Sequence, residues 1–338
     1  MIARLVLLAS LAVATAAVAA PKPQAIVETA VLEGMPRALS DYGFFEGGPD
    51  RPAATLIPYS VRNPLFSDYA EKQRFIHLPD GARLGIDREG RLEFPLGTAL
   101  IKSFGYRGGS GGLDMLETRV LLRREDGWLA LPYVWDANRT DAALKVAGTR
   151  IPVTFADPSG ARREISYAVP NKNQCKQCHS RNDRLEPIGA VWQDMIFPRA
   201  GDRERVADRA SFPANALLAS AVWDDPDAPI TARAASYLEA NCAHCHSREG
   251  AASNSGLYYD ETLGPYAASG WRKRPVAAGR ASGGFDYVVA PGRPERSILT
   301  HRMNSVEPGI AMPEIDRATV HKEGVTVVAE WIRTEQDR

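Results

Sequence analysis

Two copies of the pattern CxxCH lie in this chain, Cys175-Lys176-Gln177-Cys178-His179 and Cys242-Ala243-His244-Cys245-His246, and together they use all four cysteines. The spacing is that of c-type haem attachment, in which two thiols become thioethers on the porphyrin edge and the following histidine binds iron. A fold that serves both motifs has to leave space for two flat, largely apolar groups. Two other uses of the thiols compete. In an oxidising compartment the first expectation for CxxC is a disulfide, and four thiolates suit a zinc site. Neither gives the trailing histidines a task. The sequence therefore predicts two covalently bound haem c groups, attached at Cys175, Cys178, Cys242 and Cys245, with His179 and His246 as iron ligands.

The start of the chain bears on the compartment. Arg4 precedes an apolar run from Leu5 to about Val13, and small residues follow to Ala17-Val18-Ala19-Ala20. That is the pattern of a secretory signal with cleavage after Ala19. An uncleaved anchor is the alternative, but the run is short against the roughly 20 residues of a bilayer span. No later stretch reads as a membrane span. Export to the periplasm, or secretion, is the expectation. The 41 basic and 41 acidic side chains cancel, so no basic field is available for nucleic acid.

The 338 residues allow more than one domain. Residues 20–52 are rich in Pro, Ala and Gly and read as an extended linker over the surface. Residues 53–168 read as strands. Val120 to Arg124 and Leu129 to Trp135 flank Asp126-Gly127, a hairpin signal. Further strands are expected at Arg74 to Leu78, Arg91 to Phe94, Thr98 to Phe104, Arg150 to Phe155 and Glu164 to Val169, with a loop at Gly108 to Gly112. Short strands joined by turns predict a sandwich or barrel-like domain. Residues 169–228 hold the first motif, and 229–338 hold the second. Thr231 to Ala240 reads as a helix, and Val325, Val328, Ala329 and Ile332 mark an amphipathic helix over Gly324 to Glu335. The fold class expected is multi-domain α+β, a β-rich N-terminal domain followed by an all-α, haem-binding region.

The segment 229–338 resembles a class I cytochrome c. A helix leads into Cys242 to His246, a loop-rich stretch follows, then Met312-Pro313 and a last helix with Trp331. The resemblance implies His246 as proximal and Met312 as distal ligand, a pair suited to a relatively high potential. Met303 is the rival, although its helical surroundings favour a core role. His244, His301 and His321 read as surface residues. For the first haem the sixth ligand is open among Met195, His77, Met115, another group and a vacant position, with Met195 leading. More widely, residues 55–338 resemble a family of exported di-haem c-type cytochromes with an N-terminal β-rich domain. The matching strings are Asn63-Pro64-Leu65-Phe66-Ser67-Asp68-Tyr69-Ala70-Glu71-Lys72, Phe94-Pro95-Leu96-Gly97-Thr98, Glu117-Thr118-Arg119, Trp135 to Ala142, Asn241 to His246, and Ser255-Gly256-Leu257. Pro187-Ile188-Gly189 also matches, whereas Ala190-Val191-Trp192-Gln193 departs from the pattern.

The family resemblance implies haem binding and redox activity without naming a substrate. The function expected is electron transfer between periplasmic redox partners, one of them a partner protein. Two alternatives stand beside it. One is a di-haem, peroxidase-like enzyme with an open first iron. The other is a β binding module with an appended cytochrome. The sequence does not decide whether the chain is an enzyme.

Overall fold

The computed structural model describes residues 25–108, 112–210, 219–260, 263–277, 279–315 and 317–335. The expected signal peptide and the centre of the Gly108 to Gly112 loop lie outside the described residues. The strands are β1 (Ile57–Pro58), β2 (Ser60–Val61), β3 (Glu71–His77), β4 (Gly85–Ile86), β5 (Leu92–Glu93), β6 (Ala99–Arg107), β7 (Leu113–Arg124), β8 (Gly127–Trp135), β9 (Ala142–Leu144), β10 (Thr149–Ala156), β11 (Arg162–Val169), β12 (Ser180–Arg181), β13 (Arg184–Leu185) and β14 (Met195–Ile196). The α-helices are α1 (Glu28–Leu32), α2 (Lys172–Cys178), α3 (Asp202–Ala207), α4 (Ile230–Leu238), α5 (Ile298–Met303) and α6 (Lys322–Thr334).

Six strands form one antiparallel sheet in the order β1-β3-β6-β7-β8-β9. Period-two alternation gives it two unlike faces. Phe75, Ile101, Val120, Leu122, Leu131 and Tyr133 point to one side. There the segment 26–56 covers them with Val31, Leu39, Tyr42 and Phe44, all fully or almost fully buried. The stretch read as a surface linker is thus half of a core. The other face carries Ile76, Leu100, Leu121 and Ala130, which pack with Cys175, Ala190, Met195 and Val206. The β10/β11 hairpin closes the end of that face through Phe155 and Tyr167 against Phe104 and Tyr106. The sheet is open, with β1 and β9 as its edges, and does not close into a barrel.

The expected all-α, cytochrome c-like region at the C-terminus does not form. The described residues are mainly β, with 28% of them in strands, 24% helical and, among them, only six short helices. Between residues 229 and 335 the helices α4, α5 and α6 are separated by long irregular stretches. The cause is local. Gly256, Gly270, Gly279, Gly283, Gly284 and Gly292 all take positive φ, and Pro265, Pro275, Pro291 and Pro294 interrupt the same stretch. Neither residue sustains a helix interior. What does form is a compact core of Tyr237, Leu238, Tyr259, Val289, Leu299, Val328 and Trp331, with α4 crossing α6.

The loop 63–70 joins the two halves. Asn241 Oδ1 accepts from the Phe66 amide at 2.8 Å. The buried Asp68 carboxylate accepts from the Ala318 and Thr319 amides and the Thr319 hydroxyl at 2.8–2.9 Å. Phe66 stacks on His321 with ring centres 4.2 Å apart. Among the described residues no helix is long and apolar enough to cross a membrane.

Candidate cofactor site

Both CxxCH motifs fold as the same helical turn. Asn171 caps α2 with a reciprocal pair, its side chain accepting from the Gln174 amide while the Gln174 side chain accepts from the Asn171 amide, each at 2.9 Å. The helix then carries Cys175 and Cys178 on one face, three residues apart. The His179 amide closes the turn on the Cys175 carbonyl at 3.0 Å. In the second motif α4 runs on through a π-turn over 239–243, and the His246 amide donates to the Cys242 carbonyl at 2.8 Å. Each pentapeptide therefore presents two thiols together with a histidine one turn on.

Hydrogen bonds fix both histidine rings. Nδ1 of His179 lies 2.8 Å from the Glu186 carbonyl oxygen. A carbonyl can only accept, so Nδ1 carries the proton and Nε2 keeps a lone pair. Nδ1 of His246 lies 3.1 Å from Ser255 Oγ. That hydroxyl spends its one proton on the Ala252 carbonyl at 2.6 Å and accepts from the Leu257 amide at 3.2 Å, so it accepts from His246 too. Both rings thus hold the tautomer that offers Nε2 to a metal. Burial, the largest influence on each, pushes both imidazoles down to about 4. They are neutral at neutral pH, as a ligating imidazole must be.

Both rings open onto one cavity of about 480 Å³ that Cys175, Cys178 and Cys242 also line. The motifs touch. The Cys178 and Cys245 sulfurs and a ring nitrogen of His244 lie within 4.8 Å of one another, and Cys245 Sγ is 3.9 Å from the Gln177 carbonyl. The Cys178 thiol donates to the Cys245 sulfur; this bond first, then burial, raises Cys178, and the same bond lowers Cys245. Burial, opposed by the charge of Arg317, pushes Cys242 up to about 12. Behind the motifs, Arg181 pairs with Glu249, and the Asn182 amide donates to the Glu249 carbonyl at 3.0 Å.

The residues expected as sixth ligands divide sharply. Met312 is half-buried and lines the cavity. Met303 borders it as well but is 5% exposed and belongs to the α5 core. Met195, His77 and Met115 are not among the lining residues. Met195 is buried in β14 in the same core as Cys175. His77 pairs with Glu28 at 3.0 Å on the opposite face of the sheet, and Met115 packs on that face also. His244, expected at the surface, is half-buried at the junction of the motifs. His321 is likewise enclosed, by Phe66, Tyr69, Trp223 and Tyr237.

Sequence reasoning did not find the partners of the histidines. Ser255 stands in the resembling string Ser255-Gly256-Leu257, which was its only signal. Also missed was a set of cations on the sheet, Arg74, Lys102 and Arg119, that line the same cavity. Chemically the site offers paired thiols, neutral imidazole nitrogens and a thioether around one enclosed space. Cys178, His244 and Cys245 alone would make three donors for a soft metal ion. Compared with protein-family models, with curated proteins and with solved structures, the chain gives no match.

Proposed function

We propose that this chain is an exported di-haem c-type electron carrier, with one haem on Cys175, Cys178 and His179 and a second on Cys242, Cys245 and His246. One observation carries the reading: Cys175, Cys178 and Cys242 and the two tautomer-fixed histidines, His179 and His246, line a single cavity, with Cys245 beside Cys178 at its edge. Haem, when bound, supplies one-electron iron chemistry. The chain's own residues do the rest. Four thiols fix two cofactors against loss, and Ser255 and the Glu186 carbonyl hold the proximal rings. Met312 supplies a thioether from the cavity wall to the second site. Because Cys178 and Cys245 meet, these residues would hold the two groups at adjoining sites, an arrangement that would favour transfer within the chain and exchange with a redox partner protein.

A specific observation favours one other reading. Met195, His77 and Met115 all stay off the cavity wall, which supports a vacant sixth position at the first iron and hence a peroxidase-like reaction there. Optical and EPR spectra of the oxidised protein separate the two. The carrier predicts two low-spin haems, with a weak near-infrared sulfur–iron band that Met312→Ala abolishes. A high-spin, five-coordinate haem that binds peroxide would reject the carrier in favour of the enzyme.

A further inference from the structure

The sheet face that looks into the cavity is banded. Its register sets Ile76 opposite Leu100, Leu100 opposite Leu121 and Leu121 opposite Ala130, an unbroken apolar row across four strands. Cys175 packs against this row. Two residues along each strand, about 7 Å away, the next row on the same face is Arg74 opposite Lys102 and Lys102 opposite Arg119. Like charges set directly opposite each other are destabilising, and here three stand in line. Lys72 adds a fourth basic side chain on that face of β3, pulled down to about 7 by burial and then by Arg74 and Arg119. Phe104 offers partial relief, with Lys102 Nζ 4.8 Å and the Arg119 guanidinium 4.4 Å from its ring centre. Glu117, fully buried, pairs with Arg119 at 2.6 Å. Among the described residues no carboxylate pairs with Arg74 or Lys102. The surplus extends to the whole cavity: its described lining residues include nine basic and four acidic side chains, in a chain whose charges cancel.

A row of cations that costs stability and faces an enclosed space calls for an anion from outside the sheet. We infer that Arg74, Lys102 and Arg119 form a carboxylate site that takes the propionate groups of the haem held at Cys175, Cys178 and His179. The inference rests on the haem reading proposed above. The match is one of polarity: the apolar row beside Cys175 suits the thioether edge of a porphyrin, and the cationic row suits its acidic edge. The β-rich half would then be part of the first haem's pocket rather than an appended module. Tyr59 from the β1–β2 segment and His179 and Glu186 from the motif segment border the same wall. A small free oxyanion has the same chemistry as a propionate and is the other possible source.

The test uses the mature, haem-loaded protein and the variants Arg74→Gln, Lys102→Gln and the conservative Arg74→Lys. Haem content, read first from the pyridine haemochrome, tests the underlying reading separately; absence of haem from the first motif overturns both. With haem present, resonance Raman spectra should show the propionate bending band of one haem shifted in both Gln variants and restored in Arg74→Lys. The reduction potential of that haem alone should fall, because a neutral side chain no longer opposes ferric charge compensation by the propionates. Added succinate should leave the wild-type spectrum and potential unchanged. Unshifted Raman bands in both Gln variants would overturn the inference. So would a saturable succinate effect that Lys102→Gln removes, which would assign the row to a free anion.

Discussion

At the scale of single residues, the account turns on a few polar atoms held away from water. Glu117 is the clearest. It is fully buried, accepts from Arg119 at 2.6 and 3.0 Å and from the Tyr167 hydroxyl at 2.7 Å, and answers a face bearing four basic side chains. Glu117→Gln should cost about 3 kcal/mol of unfolding free energy in urea titration, because it strands buried positive charge. The exposed pair Arg162/Glu164, at 75% and 70% side-chain exposure, sets the contrast: Glu164→Gln should change stability by less than about 1 kcal/mol. Equal losses in the two variants would contradict this assignment of the face. The grouping of two thiols with a histidine one turn on was legible because CxxCH is a local pattern. The cation row was not. In sequence Arg74, Lys102 and Arg119 look like the solvent side of three half-buried strands, and only the pairing of β3, β6 and β7 puts them in line.

At the scale of elements, legibility followed periodicity. The strands expected around Arg74 to Leu78, Thr98 to Phe104, Arg150 to Phe155 and Glu164 to Val169 overlap β3, β6, β10 and β11. The Asp126-Gly127 turn joins β7 to β8, and the amphipathic stretch near the C-terminus is α6. The all-α region failed because the ligand order of a cytochrome was read as helix content, while glycine and proline between Gly250 and Pro294 forbid it. Within α6, Gly324 shows how tightly the helices approach. A Cβ there would lie 2.1–2.3 Å from the ring of Tyr237, which is itself buried and hydrogen-bonded to His321 at 3.0 Å. Gly324→Ala gains about 1 kcal/mol of helix propensity against about 1–3 kcal/mol of overpacking. We expect a net loss of about 1 kcal/mol and a lower Tm by calorimetry. A stabilised variant would mean that α4 and α6 are not pressed together at this point.

At the scale of the molecule, the two halves meet through loop 63–70, and protonation of His321 should weaken that junction. Burial pushes His321 down to about 4, against an ordinary value near 6.5. The unfolded chain thus binds the proton first as pH falls, and stability drops from about 6.5 toward 4. Its share is about 2 kcal/mol between pH 7 and pH 5. His321→Phe keeps an aromatic ring on Phe66 and should flatten that part of the stability profile; an unchanged slope would contradict it. Docking of the halves is also what brings Cys178 to Cys245, and so turns two separate attachment patterns into one site. The most direct test of that site is intact mass spectrometry of the exported protein made in cells that mature c-type cytochromes, compared with Cys175→Ala/Cys178→Ala and Cys242→Ala/Cys245→Ala. Two covalent haems on the parent chain and one on each double variant are predicted. An unmodified chain, or one holding only a metal ion that chelators remove from Cys178, His244 and Cys245, would contradict the account.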